Sequence, residues 1–162
     1  MSNAQIQKLD VLLCEPSPHM QTLIVQMLRH LSIRKIHVCA TSVEALTELG
    51  RSEYGVIMVD DTLAPLNGIA LTRKLRTNEN AQNRDTPVIM MSSVPNANQI
   101  ALARDAGITE FLRKPFSARH IESRLLSILK APRSFIDDGG YSGPDRRRHR
   151  DGFSGTDRRS VN

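Results

Sequence analysis

Two sets of residues in this 162-residue chain carry side chains able to do chemistry together. The first is dispersed: Glu15, the pair Asp60 and Asp61, the pair Ser92 and Ser93, and Lys114 each stand just after a short apolar run. A carboxylate nucleophile beside a divalent cation, with a hydroxyl and an ammonium group near the phosphoryl oxygens, is what phosphoryl acceptance requires. The second set is contiguous. Tyr141-Ser142-Gly143-Pro144-Asp145-Arg146-Arg147 recurs twelve residues on as Phe153-Ser154-Gly155-Thr156-Asp157-Arg158-Arg159. Each unit reads aromatic, Ser, Gly, any residue, Asp, Arg, Arg.

The first set needs elements that bring four distant positions to one place. Apolar runs at Val11 to Cys14, Ile36 to Ala40, Val56 to Val59, Val88 to Met91 and Phe111 to Leu112 alternate with helical periodicity. Ser17 and Pro18 supply an N-cap and a first-turn proline to a helix whose apolar face runs through Met20, Leu23, Ile24, Met27, Leu28 and Leu31. Further helices follow Ser42, Gly68, Asn96 and Ser117. Five strands and five helices in strict alternation predict an α/β domain, a doubly wound five-stranded parallel sheet with helices on both faces. Sites in such sheets lie at the carboxyl ends of the strands, where Glu15, Asp60, Ser92 and Lys114 stand.

Composition divides the chain. Residues 131–162 hold seven of the seventeen arginines, five of the nine glycines and none of the five lysines, with only six residues from the hydrophobic set. Such a segment cannot bury enough apolar surface to order itself alone. The expectation is a domain over residues 1–130 and a flexible arginine-rich C-terminal tail over 131–162. No run of eighteen apolar residues and no export signal occurs, so a cytoplasmic protein without membrane contact is expected. Cys14 and Cys39 give no disulfide framework, and the five histidines have no metal-ligand spacing. No catalytic triad or glycine-rich phosphate loop stands out, so the chain does not read as an enzyme.

Over residues 8 to 130 the sequence resembles the CheY-like receiver domain of bacterial response regulators, a flavodoxin-like fold. Glu15 falls at the acid after the first strand, Asp60 at the acceptor after the third, Ser92 at the hydroxyl after the fourth, and Lys114-Pro115-Phe116 at the lysine-proline after the fifth. The resemblance implies phosphorylation of Asp60 by a histidine kinase, with Glu15, Ser92 and Lys114 as neighbours and Glu15 and Asp60 as the carboxylates left for Mg2+. Three positions depart from it. Pro16 replaces the second acid, usually a direct magnesium ligand, Pro65 falls one place late, and Phe111 fills the aromatic switch position without a hydroxyl. Asp60 therefore has two readings, a phosphoacceptor or a strand-end acid paired with Lys114.

In the tail, arginine offers a planar fork to guanine O6 and N7 and to phosphate. A carboxylate suits guanine's N1 and N2 donors, an aromatic ring gives a stacking surface, and glycine allows close approach. The unit thus suits guanine plus phosphate. Nonspecific polyanion binding and a passive Arg-Asp linker stay open, although nucleic acid is a poor match for a segment that sets an aspartate before each arginine pair. A repeated guanine-reading unit suggests a repeated ligand, cyclic di-GMP. The whole chain resembles the CheY-like cyclic di-GMP effectors called Cle proteins. That resemblance implies ligand contacts from Tyr141, Ser142, Gly143, Asp145, Arg146, Arg147 and Arg148, and from Phe153, Ser154, Gly155, Asp157, Arg158 and Arg159. It also implies that the tail orders on the ligand and that a protein partner is engaged, such as the flagellar motor switch or attachment machinery, with motility, chemotaxis or biofilm formation as output.

Overall fold

The computed structural model describes residues 2–147. Its main sheet has five parallel strands, β1 (Asp10–Cys14), β2 (Lys35–Cys39), β3 (Val56–Asp60), β4 (Val88–Ser92) and β5 (Glu110–Arg113), in the order β2-β1-β3-β4-β5. Helices α2 (Pro18–His30), α3 (Ser42–Arg51), α4 (Gly68–Thr77), α5 (Ala97–Ala106) and α6 (Ala118–Lys130) follow the five strands in turn. β3 and β4 are buried at every position, which is why they read as unbroken apolar runs: a parallel strand covered on both faces has no solvent side to mark with polar residues.

Alternate residues feed two separate cores. Val11, Leu13, Met58, Ile89 and Met91 pack with Ile24 and Leu28 of α2 and with Ile121 and Leu125 of α6. Leu12, Cys14, Ile57, Val59 and Met90 pack with Ala45 and Leu49 of α3, Leu71 and Leu75 of α4, and Ala103 of α5. Side-chain N-caps start four of the helices: Ser17, Thr41, Asn67 and Asn96 each accept from a backbone N–H three residues on. Gly107 ends α5 at φ +101°, a left-handed conformation that glycine adopts without strain.

Two features add to the expected organisation. A short helix α1 (Ser2–Ile6) precedes β1 and brings Ile6, 2% exposed, into the core beside α6. The second lies at the start of the tail. Beyond Lys130 the chain forms an antiparallel hairpin of β6 (Phe135–Asp137) and β7 (Ser142–Pro144). Its order comes from the domain it lies on, not from its own apolar content. Arg84 bonds Asp137 at 2.6 Å and places its guanidinium 4.9 Å above the Phe135 ring. Gly143 meets Gly107 so closely that an added Cβ would come within 2.9 Å of the Gly107 Cα. Beneath the hairpin, Arg76 of α4 is 1% exposed and donates to the carbonyls of Gly107 and Thr86 at 3.1 and 2.8 Å and to that of Arg84.

Candidate functional site

Strand register sets the site. β3 ends on Asp60 and β1 on Cys14, so Asp60 and Glu15 emerge side by side at the carboxyl edge of adjacent strands. The backbone N–H of Glu15 donates to the Cys39 carbonyl at 3.0 Å, which holds that residue in line with β2. Lys114 follows β5, and its own N–H donates to the Ser92 carbonyl at 2.8 Å. Gly68 is needed for the approach of α4. A Cβ there would lie 2.8 Å from the Asp60 carbonyl oxygen and 3.1 Å from Met90 Cε.

The Lys114 ammonium lies between the two carboxylates. It donates to Asp60 Oδ1 at 2.6 Å and to Glu15 Oε2 and Oε1 at 3.1 and 3.2 Å. Glu15 is 1% and Asp60 3% exposed. Burial, and then the Asp60 charge, hold the Glu15 carboxyl above its usual range despite the lysine. Burial pulls the Lys114 ammonium down, but the hydrogen bonds and charges of Asp60 and Glu15 outweigh it and leave the pKa raised. The second Asp60 oxygen accepts from the Thr62 N–H at 2.8 Å and from the Thr62 hydroxyl.

Three of the four expected residues, Glu15, Asp60 and Lys114, thus meet directly. Ser92 points elsewhere: its hydroxyl donates to Asp61 Oδ2 at 2.8 Å, and Gln99 Nε2 donates to the same oxygen at 2.8 Å. Asp61 is the neighbouring carboxylate on the chain, and successive side chains leave a strand on opposite sides. Gln99, from α5, was not visible as a site residue because no apolar run ends on it.

Glu15 and Asp60 are the carboxylates here that could hold magnesium. That ion requires near-octahedral oxygen coordination, usually with carboxylates as anchors. Pro16 contributes no side-chain oxygen, and the oxygens of Glu15 and Asp60 already face an ammonium at 2.6 to 3.2 Å. Among the described residues no three His, Cys, Asp or Glu side chains are close enough to share an ion. What the described side chains themselves supply is a buried aspartate carboxylate with a lysine ammonium on it.

The first tail unit packs as a structured group. Tyr141 donates its hydroxyl to the Pro144 carbonyl at 2.7 Å, and the Arg146 guanidinium covers its ring at 3.9 Å. Arg146 also pairs with Asp105 of α5 at 2.8 Å. Asp145 accepts from the Arg147 N–H at 2.9 Å, and Ser142 donates to Asp137 at 3.0 Å. Gly143 has no room for a side chain, since a Cβ would lie 2.6 Å from the Tyr141 hydroxyl. Arg148 and the second unit, Phe153, Ser154, Gly155, Asp157, Arg158 and Arg159, lie outside the described residues. A hollow of about 280 Å³ opens between this unit and the β5 side of the domain, with Arg104, Arg124, Arg133 and Arg146 in its wall. None of the first three was singled out in the sequence; the preference for arginine over lysine along the whole chain was their only trace.

Residues 11–126 match the response regulator receiver domain. Among curated proteins, the chain is 23% identical over 124 residues to the chemotaxis protein CheY-3 of Vibrio cholerae, covering 76% of this chain and 94% of that one. It is 30% identical over 96 residues to the regulatory protein VanRB of Enterococcus faecalis, covering 59% of this chain and 41% of that protein. Among solved structures, the receiver domain of sensor histidine kinase PA1611 from Pseudomonas aeruginosa superposes with a TM-score of 0.68 at 29% identity, over 76% of this chain and 98% of the other. That structure has a magnesium ion coordinated in its active site cleft. The chemotaxis response regulator CheY4 of Vibrio cholerae superposes with a TM-score of 0.63 at 21% identity, over 75% and 95% of the two chains.

Proposed function

Because the chain belongs to the response regulator receiver family, we propose that it serves two-component signalling as a phosphorylation-driven regulator, taking a phosphoryl group from a histidine kinase onto Asp60, and that it is not an enzyme in its own right. The contact of Lys114 with Asp60 at 2.6 Å is the observation that carries this reading. An Asp60 oxygen would attack phosphorus while the bond to the histidine nitrogen breaks, the imidazole keeping the electron pair and an acyl phosphate forming. Lys114 would then stay on the phosphoryl oxygens, where a fixed ammonium in a buried site stabilises the transferred charge. Thr62 must release its oxygen of Asp60 for this to happen, and Glu15 loses its share of the lysine. Incubation with acetyl phosphate, with and without magnesium, followed by intact-mass measurement tests the step. Modification of the wild type and none of Asp60→Asn is expected; an unmodified wild type under both conditions sinks the reading.

The tail favours a second reading, as a cyclic di-GMP effector. Its support is the stack of Arg146 on Tyr141 beside Asp145, in the first of two repeated units and at the mouth of an arginine-walled hollow. Arginine held flat on an aromatic ring presents a second planar surface on which a base can stack. The ligand would then alter the surface offered by α5, β5 and α6 to a protein partner such as a flagellar motor switch protein. Calorimetry of the full chain with cyclic di-GMP tests this, and absence of saturable heat overturns it.

A further inference from the structure

The hollow beside the hairpin is built from two sources. Arg104 comes from α5 and Arg124 from α6, both within the receiver body, whereas Arg133 and Arg146 come from the segment that follows it. The wall holds four arginines and one carboxylate, Glu110. Glu110 is 9% exposed and already accepts from the Ser127 hydroxyl at 3.2 Å, with Arg133 at 3.8 Å. Arg124 is fixed in place by its Nε bond to the Phe111 carbonyl at 2.9 Å. Arg146 is held by Asp105, but that pair is exposed, with side chains 46% and 54% accessible. An ion pair of this kind is weak and is readily exchanged for a phosphate. A second hollow of about 550 Å³ shares Arg124 and Arg133 with the first and extends the basic wall to Arg147 and Lys130.

We propose that the receiver body is itself part of the nucleotide site, its Arg104 and Arg124, together with Arg133 of the segment that follows, taking phosphate oxygens while Tyr141 and Arg146 take a base. Deepening the cyclic di-GMP reading, on which it rests, the proposal assigns the phosphate contacts to residues outside the repeated tail units. The second hollow, at about 550 Å³, lies in the range of small-molecule sites, roughly 300–1,000 Å³, and the first, at about 280 Å³, just below it. Arginine suits the role because its fork meets two phosphate oxygens at once. An ordinary solvated basic face does not gather its arginines from three separate chain segments around an aromatic ring, with one wall member pinned by a backbone carbonyl.

The test is calorimetry of full-length protein with cyclic di-GMP, comparing wild type with Arg104→Gln, Arg133→Gln and, as a control of equal charge change, Arg119→Gln. Arg119 is an exposed residue of α6 that does not line either hollow. A charge-assisted hydrogen bond to phosphate is expected to be worth roughly tenfold or more in affinity, so each groove variant should weaken binding by that factor and the control should not. If wild type binds and the groove variants bind equally well, the tail alone holds the ligand and the inference falls while the cyclic di-GMP reading stands. If Arg119→Gln weakens binding as much as the others, the attraction is diffuse and the inference also falls. If wild type does not bind, both are overturned. Circular dichroism of each variant confirms that folding is unchanged.

Discussion

Replacing Lys114 by methionine leaves Glu15 and Asp60 facing each other with no cation between them. Both are buried, and removing one partner of a buried pair costs ~3–5 kcal/mol because an uncompensated charge stays behind. The Lys114 side chain retains 13% of its accessibility, which admits some water and points to the lower end, about 3 kcal/mol. In a chain of this length that corresponds to a fall in Tm of roughly 6–12 °C. The pH dependence has a definite sign. Glu15 already has a raised pKa, chiefly through burial and then through Asp60, and losing the ammonium raises it further. A carboxyl whose folded pKa lies above its unfolded value of about 4.3 binds its proton better when folded. Its penalty is therefore absent below the unfolded value and grows as pH rises to the folded one. The wild-type lysine, with its raised pKa, contributes fully below about pH 10.4 and loses its effect only as pH climbs through the folded value. Lys114→Met should thus lie closest to wild type near pH 4.5 and furthest from it at pH 8. Urea titrations of both proteins at the two pH values measure the difference. An equal deficit at both, or no recovery when Glu15→Gln is added to the variant, would refute the electrostatic account.

Three further outcomes follow from the packing. Gly68→Ala forces a Cβ to within 2.8 Å of the Asp60 carbonyl; a loss of about 1–3 kcal/mol is expected from such overpacking, read in the urea midpoint. Gly107→Ala combines a left-handed backbone at φ +101° with a 2.7 Å approach to Arg76 Cγ, so it should cost at least as much and also speed amide exchange in the hairpin. Arg84→Ala removes the Asp137 ion pair and the cover over Phe135. Global stability should change by only about 1 kcal/mol, while limited proteolysis between residues 131 and 147 becomes faster than in wild type; an unchanged cleavage rate would show that the hairpin is held by something else.

The sheet and its reactive edge were legible because burial on both faces leaves a parallel strand no polar interruption until it ends. The runs accordingly stop at or just before the residues that matter, Glu15, Asp60, Ser92 and Lys114. The loss of an acid at Pro16 was equally plain. The partner of Ser92 was not, because Asp60 and Asp61 are adjacent and only the twist of the strand end decides which of them meets Lys114 and which meets the hydroxyl. Helix α1 escaped notice because five residues offer a single buried apolar side chain, Ile6, and so no period. The hairpin escaped for a different reason. Its strands have three residues each, and what fixes them lies far away in sequence, at Arg84, Asp105 and Gly107. Local composition gives no sign of such remote support.

β5 joins two of these places. Gly107, which carries the hairpin, stands three residues before it, and Lys114 stands immediately after it. Between them runs a four-residue strand, about 13 Å at ~3.3 Å per residue, tied to β4 along its length. A lengthwise shift of that strand would act on both ends together, lifting the ammonium from the carboxylates as it moved the seat of Gly143. If a tail ligand favours one setting of the strand and a phosphoryl group on Asp60 the other, each must weaken the other's binding by the same factor, since coupling free energy between two sites is reciprocal. The two inputs would then be antagonists acting through one strand, and the affinity for the tail ligand measured with and without a phosphoryl group on Asp60 would give the size of the effect.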